Sequence, residues 1–251
     1  MREVDYDERI HAVYARGRAL PQHSIQRWLD SFAEHLPVRR PLRLVDVGSG
    51  TGRFTPHLAD RFGGPVVGVE PSDQMREQAR VGAANANVDY RSGSAESMPL
   101  DPGSVDGALL FFVWHHVIDR HRAAAELRRV VRDDGILLIR TQLADAMPEL
   151  WWYQHSGAAR RADQAMYLRL GELRAEIEQH AWEFRGLSEV TYEVAPSQAA
   201  YADRLRLRAL STFEHMSPGE LDALFAALDV ADLGDVEPVS EVGTLLAWRA
   251  R

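Results

Sequence analysis

The chain has 251 residues, with 29 basic and 37 acidic side chains and a net charge of −8. It contains no cysteine and no lysine, which excludes disulfides, thiolate nucleophiles, sulfur-ligated zinc, Schiff-base chemistry and the lysine of a phosphate-binding loop. The acidic balance disfavours a nucleic-acid partner. The charged start and the short apolar runs predict a soluble, cytoplasmic protein without a membrane span.

Strands and helices alternate through the middle of the chain. Residues 7–36 have apolar side chains at helical spacing, and Gly17 and Pro21 divide them into two predicted helices. Five β-branched or apolar runs then predict strands at 42–47, 66–69, 88–90, 107–113 and 136–141. Helical patterns at 54–62, 72–81 and 121–131 lie in three of the four intervals between these strands. This alternation predicts a doubly wound, three-layer α/β fold with a mostly parallel sheet.

The last third of the chain is less regular. Residues 133–135 predict a turn into the fifth strand, and residues 160–185 predict one long helix. A strand at 189–194, helices over 197–228 with a start at Ser217, and a strand at 239–248 come next, which makes seven strands. We therefore expect an N-terminal helical cap over 1–40 and one α/β domain over 41–251. Segments 143–165 and 195–216 are the expected substrate lids.

The most informative motif is a glycine-rich turn after the first strand, with the spacing Asp46-x-Gly48-x-Gly50-x-Gly52. Dinucleotide binding needs a third glycine at position 53, where the chain has Arg53. An acidic residue two positions before the first glycine would repel a pyrophosphate, whereas it suits an α-ammonium group. The turn therefore favours a nucleoside that carries an amino acid, and a dehydrogenase is disfavoured.

The segments 45–52, 66–75, 93–100, 105–117 and 127–138 resemble the motifs of the class I S-adenosylmethionine-dependent methyltransferases. The resemblance covers about residues 42–142 and leaves out the flanks, which hold the substrate in that family. It implies a Rossmann-like, seven-stranded sheet and S-adenosylmethionine as the cofactor.

Glu70 ends the second strand about twenty residues after the turn, where a carboxylate can accept hydrogen bonds from both ribose hydroxyls. The resemblance implies further cofactor contacts in the turn, beside the adenine, near the methionine part and on the N-terminal helices. These residues are Asp46, Gly48, Ser49, Gly50, Gly52, Pro71, Met75, Ser94, Ala95, Glu96, Phe111, Tyr14 and Arg18.

His115 and His116 come directly after the fourth strand, at the carboxyl edge of the predicted sheet. Either histidine is a candidate general base, with His116 preferred, and the alternative is a structural role in the loop. Trp114 is expected to line the substrate pocket. A metal site that adds Asp119 and His121 is disfavoured, because 115 and 119 share a helix face that 116 does not. No metal is therefore expected.

Three adjacent aromatic residues, Trp151, Trp152 and Tyr153, form a second unusual cluster. They are either a wall over an apolar substrate or a docking or dimer contact. Tyr6, near the N-terminus, is expected to close over the site and contact the substrate. The arginines of residues 201–210 are spread around a helix, which favours a solvated face over a nucleic-acid site.

These observations predict S-adenosylmethionine-dependent methyl transfer to an oxygen, nitrogen or carbon atom of a small metabolite or natural-product intermediate. One alternative is an RNA or protein methyltransferase with the same core. Another is a cyclase or scaffold that binds the cofactor and transfers no methyl group. The chain is expected to be a monomer or a homodimer.

Overall fold

The computed structural model describes residues 11–251. Within this range seven strands form one sheet: β1 Leu44–Val47, β2 Val66–Glu70, β3 Val88–Ser92, β4 Val105–Phe111, β5 Val131–Thr141, β6 Trp182–Ala195 and β7 Val239–Ala250. Their order across the sheet is β3-β2-β1-β4-β5-β7-β6. Strands β1 to β5 are parallel, and β7 is antiparallel to both β5 and β6. The predicted seven-stranded, mostly parallel sheet is confirmed.

The same residues form nine α-helices: α1 His11–Gly17, α2 Gln22–His35, α3 Thr55–Phe62, α4 Asp73–Gly82, α5 Arg120–Val130, α6 Gly157–Met166, α7 Leu170–Glu178, α8 Gln198–Arg206 and α9 Pro218–Val230. Within residues 11–251, three short 3-10 helices occupy Trp114–His116, Trp151–His155 and Ser211–His215. No helix in residues 11–251 combines the length and the apolar character needed to span a bilayer.

Helices cover both faces of the sheet because the buried strands have apolar side chains on both sides. In β5, Ile136 and Leu138 join the core cluster that contains Trp28 of α2. Their neighbours Leu137 and Ile139 join the cluster on the opposite face, which contains side chains of α5 and α7. This alternation produces the expected three layers.

The prediction of one helix over 160–185 is wrong. The chain leaves the helical conformation between α6 and α7, and β6 already begins at Trp182. The loop after β5 holds this break, because Ala144 N–H donates to Leu168 O (2.9 Å) and Leu170 N–H donates to the Asp145 carboxylate (3.1 Å). These partners are about 25 residues away along the chain, so helical spacing does not reveal them.

The predicted turn at 133–135 lies inside β5, which begins at Val131. The register shifts between the pairs Val105–Val131 and Gly107–Ile136, and Asp134 has a φ of 66°. A bulge therefore absorbs the extra residues within the strand. Strand β6 extends well beyond the predicted 189–194.

Helix α2 is part of the main core. Trp28 is fully buried, and its ring lies 5.1 Å from that of Phe111 and 5.2 Å from that of Tyr192. A Cβ on Gly243 of β7 would lie 2.6 Å from the Trp28 ring, so the absence of a side chain there allows this close packing. The division into a cap, a domain and two lid segments stays a prediction.

The start of α9 agrees with the sequence pattern. Ser217 accepts a hydrogen bond from Glu220 N–H (3.4 Å), and the Glu220 carboxylate accepts one from Ser217 N–H (2.9 Å). We expect Ser217→Ala to lower the free energy of unfolding by about 1 kcal/mol, because the helix loses its N-cap. Chemical denaturation measures this change. Ser240→Ala, at an exposed position on β7, is the matched control, and equal stability of the two variants would contradict the prediction.

Candidate active site

The glycine turn links β1 to α3. Gly48, Gly50 and Gly52 all have positive φ values, of 68°, 56° and 79°, which side-chain-bearing residues rarely adopt. A Cβ on Gly52 would lie 2.3 Å from the Tyr90 hydroxyl, so this glycine allows close packing against β3. At Gly50 an ideal Cβ would meet no atom closer than a Tyr14 ring atom at 3.5 Å, which is an ordinary contact distance. The turn therefore presents bare backbone at Gly50.

Glu70 holds this turn from the end of the neighbouring strand. Its carboxylate accepts hydrogen bonds from Gly50 N–H (2.9 Å) and from Ser72 N–H (3.0 Å). Ser72 in turn caps α4 by accepting a hydrogen bond from Met75 N–H (3.1 Å). One buried side chain thus fixes the glycine turn and the approach to the next helix.

A cavity of about 390 Å³ opens beside the turn, and we refer to it as the larger cavity. Its volume falls within the usual range of small-ligand sites. Ten of the predicted cofactor residues line it: Tyr14, Gly48, Gly50, Glu70, Pro71, Met75, Ser94, Ala95, Glu96 and Phe111. Phe112, Val113, His116, Val117 and Ile118 complete the lining.

Three residues of the predicted turn motif do not line this cavity. The Asp46 carboxylate lies beneath the turn, where it accepts a hydrogen bond from Thr55 Oγ1 (2.7 Å), and burial raises its pKa to about 6. Ser49 is buried, and its hydroxyl has no hydrogen-bond partner among residues 11–251. Gly52 packs against Tyr90. The expected contact of Asp46 with an α-ammonium group stays a prediction, and in this structure the Asp46 carboxylate is buried and paired with Thr55.

A second, narrower cavity of about 80 Å³ adjoins the first, and we call it the side chamber. Tyr14, Phe111, Phe112 and His116 line both cavities and form the wall between them. Phe112 has a φ of 62°, and its N–H donates to Arg140 O (2.9 Å). A strained residue at such a boundary is typical of a functional site.

The predicted lid segments contribute much of the chamber lining. Residues Leu150, Trp152 and Asp163 come from segment 143–165, and Tyr201, Arg204, Leu205, Ala209, Leu210, Ser211 and Thr212 come from segment 195–216. Arg18, a predicted cofactor residue, also lines the side chamber and not the larger cavity.

Both histidines after β4 lie at the site. Burial lowers the pKa of His115 well below its ordinary value and lowers that of His116 to about 4, with added repulsion from nearby cationic groups. His115 is only 4% exposed and neither ring nitrogen has a hydrogen-bond partner in residues 11–251. At neutral pH both imidazoles are uncharged and can accept a hydrogen bond, but they are weak bases.

The expectation that Trp114 lines the substrate pocket is not met. Its ring is 1% exposed in the core on the α5 and α7 side of the sheet, and its Nε1–H donates to the Glu176 carboxylate (3.0 Å). The Trp114 side chain lines neither cavity, because the short 3-10 helix that begins at Trp114 directs it towards α7.

The three aromatic residues 151–153 do not lie together on one surface. Trp152 lines the side chamber, whereas Trp151 packs outside it, against Tyr201. Tyr153 lies behind the chamber wall and donates a hydrogen bond to Asp163 Oδ2 (2.5 Å). Tyr6 lies outside the described residues.

Several chamber residues were not predicted from the sequence. Asp163 is 2% exposed, accepts hydrogen bonds from Tyr153 and from Thr212 Oγ1 (2.5 Å), and has a pKa raised to about 6 by burial. Gln142 is also buried, and its Oε1 has no partner in the described chain. Neither residue belongs to a recognisable motif, so only the fold reveals its position.

The residues of the disfavoured metal cluster have other roles. Asp119 caps α5 by accepting a hydrogen bond from Arg122 N–H (2.9 Å). His121 Nδ1 lies 2.9 Å from His180 Nε2. Between residues 11 and 251, no group of three or more histidine, aspartate or glutamate side chains is placed to hold a metal ion.

Comparison with known proteins indicates the class of protein that the core of this chain is similar to. Residues 45–139 match a family described as a methyltransferase domain. Together with the strand order of the sheet and the turn after β1, this match indicates a methyltransferase-type core over residues 45–139.

Individual relatives agree with this class. An uncharacterized methyltransferase of Mycobacterium tuberculosis strain H37Rv is 38% identical over 125 residues, which cover 49% of this chain and 46% of that protein. The ubiquinone/menaquinone biosynthesis C-methyltransferase UbiE of Citrifermentans bemidjiense is 27% identical over 148 residues, covering 53% and 62% of the two chains. The chain thus spans about half the length of the curated relatives it matches.

A solved structure extends the likeness to most of the chain. The 4+2 cyclase SpnF has a TM-score of 0.62 and 20% identity, covering 93% of this chain and 83% of that one. At this level of identity the likeness shows the fold alone.

We expect the imidazole of His116 to stay neutral from pH 8 down to about pH 5, because burial lowers its pKa to about 4. An NMR titration of the histidine ring signals measures this, and the His116→Gln variant identifies the resonance. A midpoint near the ordinary imidazole value of about 6.5 would contradict the expectation.

Proposed function

We propose that the chain transfers a methyl group from S-adenosylmethionine to a small-molecule acceptor. The observation that carries this proposal is the pair of adjoining cavities on either side of one aromatic wall. The larger cavity has the glycine turn and Glu70 at its edge, and the side chamber is covered by the lid segments. Such an arrangement brings two ligands to a common boundary, as a group transfer requires.

The residues around the larger cavity fit an adenosyl ligand. In this proposal the Glu70 carboxylate accepts hydrogen bonds from the ribose hydroxyls, and Met75 provides an apolar contact for the adenine ring; both residues line the larger cavity. Glu96 Oε1 accepts hydrogen bonds from Ile118 N–H (3.1 Å) and Asp119 N–H (3.4 Å), which holds the loop after β4 against the cavity. The bare backbone at Gly50 gives a ligand close access to the turn.

When bound, S-adenosylmethionine supplies an activated methyl group on a sulfonium. The chain's own residues have to orient the acceptor and exclude water. His116 lies at the boundary and, as a neutral imidazole, can accept a hydrogen bond from the acceptor. Its low pKa favours orientation of the acceptor over strong base catalysis.

The same site is less suited to RNA or protein. The lid residues Trp152, Leu205 and Leu210 enclose the side chamber, so a macromolecular substrate would have to insert a single group. A cyclase that binds the cofactor without methyl transfer is the second candidate, because an enclosed side chamber also suits a small molecule that receives no methyl group. Detection of S-adenosylhomocysteine after incubation with candidate acceptors distinguishes the methyltransferase from the cyclase.

We expect Glu70→Gln to weaken S-adenosylhomocysteine binding by about 10- to 100-fold, because a charged acceptor of ribose hydrogen bonds is lost. Isothermal titration calorimetry measures the affinity. Glu77→Gln is the matched control, since Glu77 is exposed on α4 and pairs only with Arg80 (3.7 Å) in the described chain. Equal affinities for wild type and Glu70→Gln, with both proteins folded, would remove Glu70 from the binding site.

A further inference from the structure

Three arginines line the side chamber. Arg18 lies between α1 and α2, Arg53 lies just after the glycine turn, and Arg204 lies on α8. A fourth, Arg140 of β5, is 1% exposed behind the chamber wall, with its guanidinium carbon 3.6 Å from the Phe112 ring centroid. None of the four forms an ion pair with a carboxylate of residues 11–251, whereas the exposed arginines commonly do, as in Arg206 with Asp203 and Asp229.

Backbone carbonyls orient two of these side chains. Arg53 Nη1 donates to Arg18 O (2.7 Å), and Arg204 Nη1 donates to Ala19 O (2.6 Å). Because the two carbonyls belong to consecutive residues, the guanidinium groups of Arg53 and Arg204 approach the same part of the chamber from the turn and from the lid. Arg204 Nε is buried without a partner in the described residues.

The two carboxylates that line the chamber accept hydrogen bonds from hydroxyl groups and form no ion pair with these arginines. Asp163 accepts hydrogen bonds from Tyr153 and Thr212, and Glu241 accepts them from Tyr201 (2.5 Å) and Tyr192 (3.2 Å). Among residues 11–251, four guanidinium groups and two carboxylates thus lie in and directly behind the chamber wall.

The excess of guanidinium groups over carboxylates is energetically unfavourable when no anionic ligand is bound. Burial, with repulsion from Arg18 and Arg140, lowers the pKa of Arg53 to about 10, so its guanidinium remains charged at neutral pH. A buried charge without an opposite charge beside it is unfavourable, and an anionic ligand would offset this cost. A planar carboxylate matches the fork of an arginine and can bind in a bidentate manner.

We propose that the methyl acceptor is a small molecule with a carboxylate, which Arg53 and Arg204 bind together in the side chamber. This inference rests on the proposed function. The two arginines line the side chamber and not the larger cavity, which assigns the carboxylate to the acceptor and not to the amino-acid part of the cofactor. Trp152, Leu205 and Leu210 provide apolar walls for the rest of the acceptor.

The test uses propionate and its neutral isostere propionamide as probes, titrated by ligand-observed NMR into the protein with and without S-adenosylhomocysteine. We expect wild type to bind propionate at least about 10-fold more tightly than propionamide, and Arg53→Gln or Arg204→Gln to abolish that preference. Arg206→Gln on the same helix is the control and should retain it. Equal binding of the two probes to wild type, or a preference that survives both substitutions, would overturn the proposal.

A second measurement separates the two possible sources of the carboxylate. Calorimetry compares S-adenosylhomocysteine with 5′-methylthioadenosine, which lacks the amino-acid part, in wild type and in both variants. We expect the ratio of the two affinities to be unchanged. A loss of S-adenosylhomocysteine binding alone in the variants would show that these arginines hold the cofactor, which overturns this inference and leaves the proposed function intact. Failure of wild type to bind either nucleoside would refute the proposed function, while the propionate titration of the unloaded protein still tests the arginines.

Discussion

The hydrogen bond from Gly50 N–H to the Glu70 carboxylate is the constraint on which the site depends. Parallel pairing places Val47 beside Val69, so the end of β2 lies level with the start of the glycine turn. A carboxylate at that position can hold a turn whose glycines adopt positive φ values. Without it, the amide of Gly50 would be buried and unsatisfied, which is unfavourable. The shape of the larger cavity depends on this contact.

The second cavity is created by the segment that leaves β4. Phe112, with its positive φ, and the short helix that ends at His116 turn the chain across the edge of the sheet, so that one aromatic wall borders two spaces. The predicted lid segments contribute to the mixed lining of the side chamber, which includes guanidinium groups as well as Asp163, Gln142 and His115. Under the proposed function, this polarity selects among acceptors, whereas the sheet and the turn determine the class of cofactor.

The central part of the fold could be predicted from the sequence because its signals are local. Buried parallel strands are apolar runs, and the turn motif and Glu70 occupy adjacent strand ends. The break between α6 and α7 could not be predicted, because it depends on hydrogen bonds with Ala144 and Asp145, which are about 25 residues away along the chain. The direction of Trp114 and the position of Arg204 also depend on tertiary packing. The low pKa of His116 arises from burial, which residue spacing does not report. The predicted roles of the individual site residues remain to be measured.

The most direct test of this account is a crystal structure of the protein soaked with S-adenosylhomocysteine. The account predicts density for the nucleoside in the larger cavity, with its ribose hydroxyls on the Glu70 carboxylate and its homocysteine sulfur facing the wall formed by Tyr14, Phe111, Phe112 and His116. An empty larger cavity in those crystals, with a nicotinamide dinucleotide or ATP occupying the turn in parallel soaks, would contradict it.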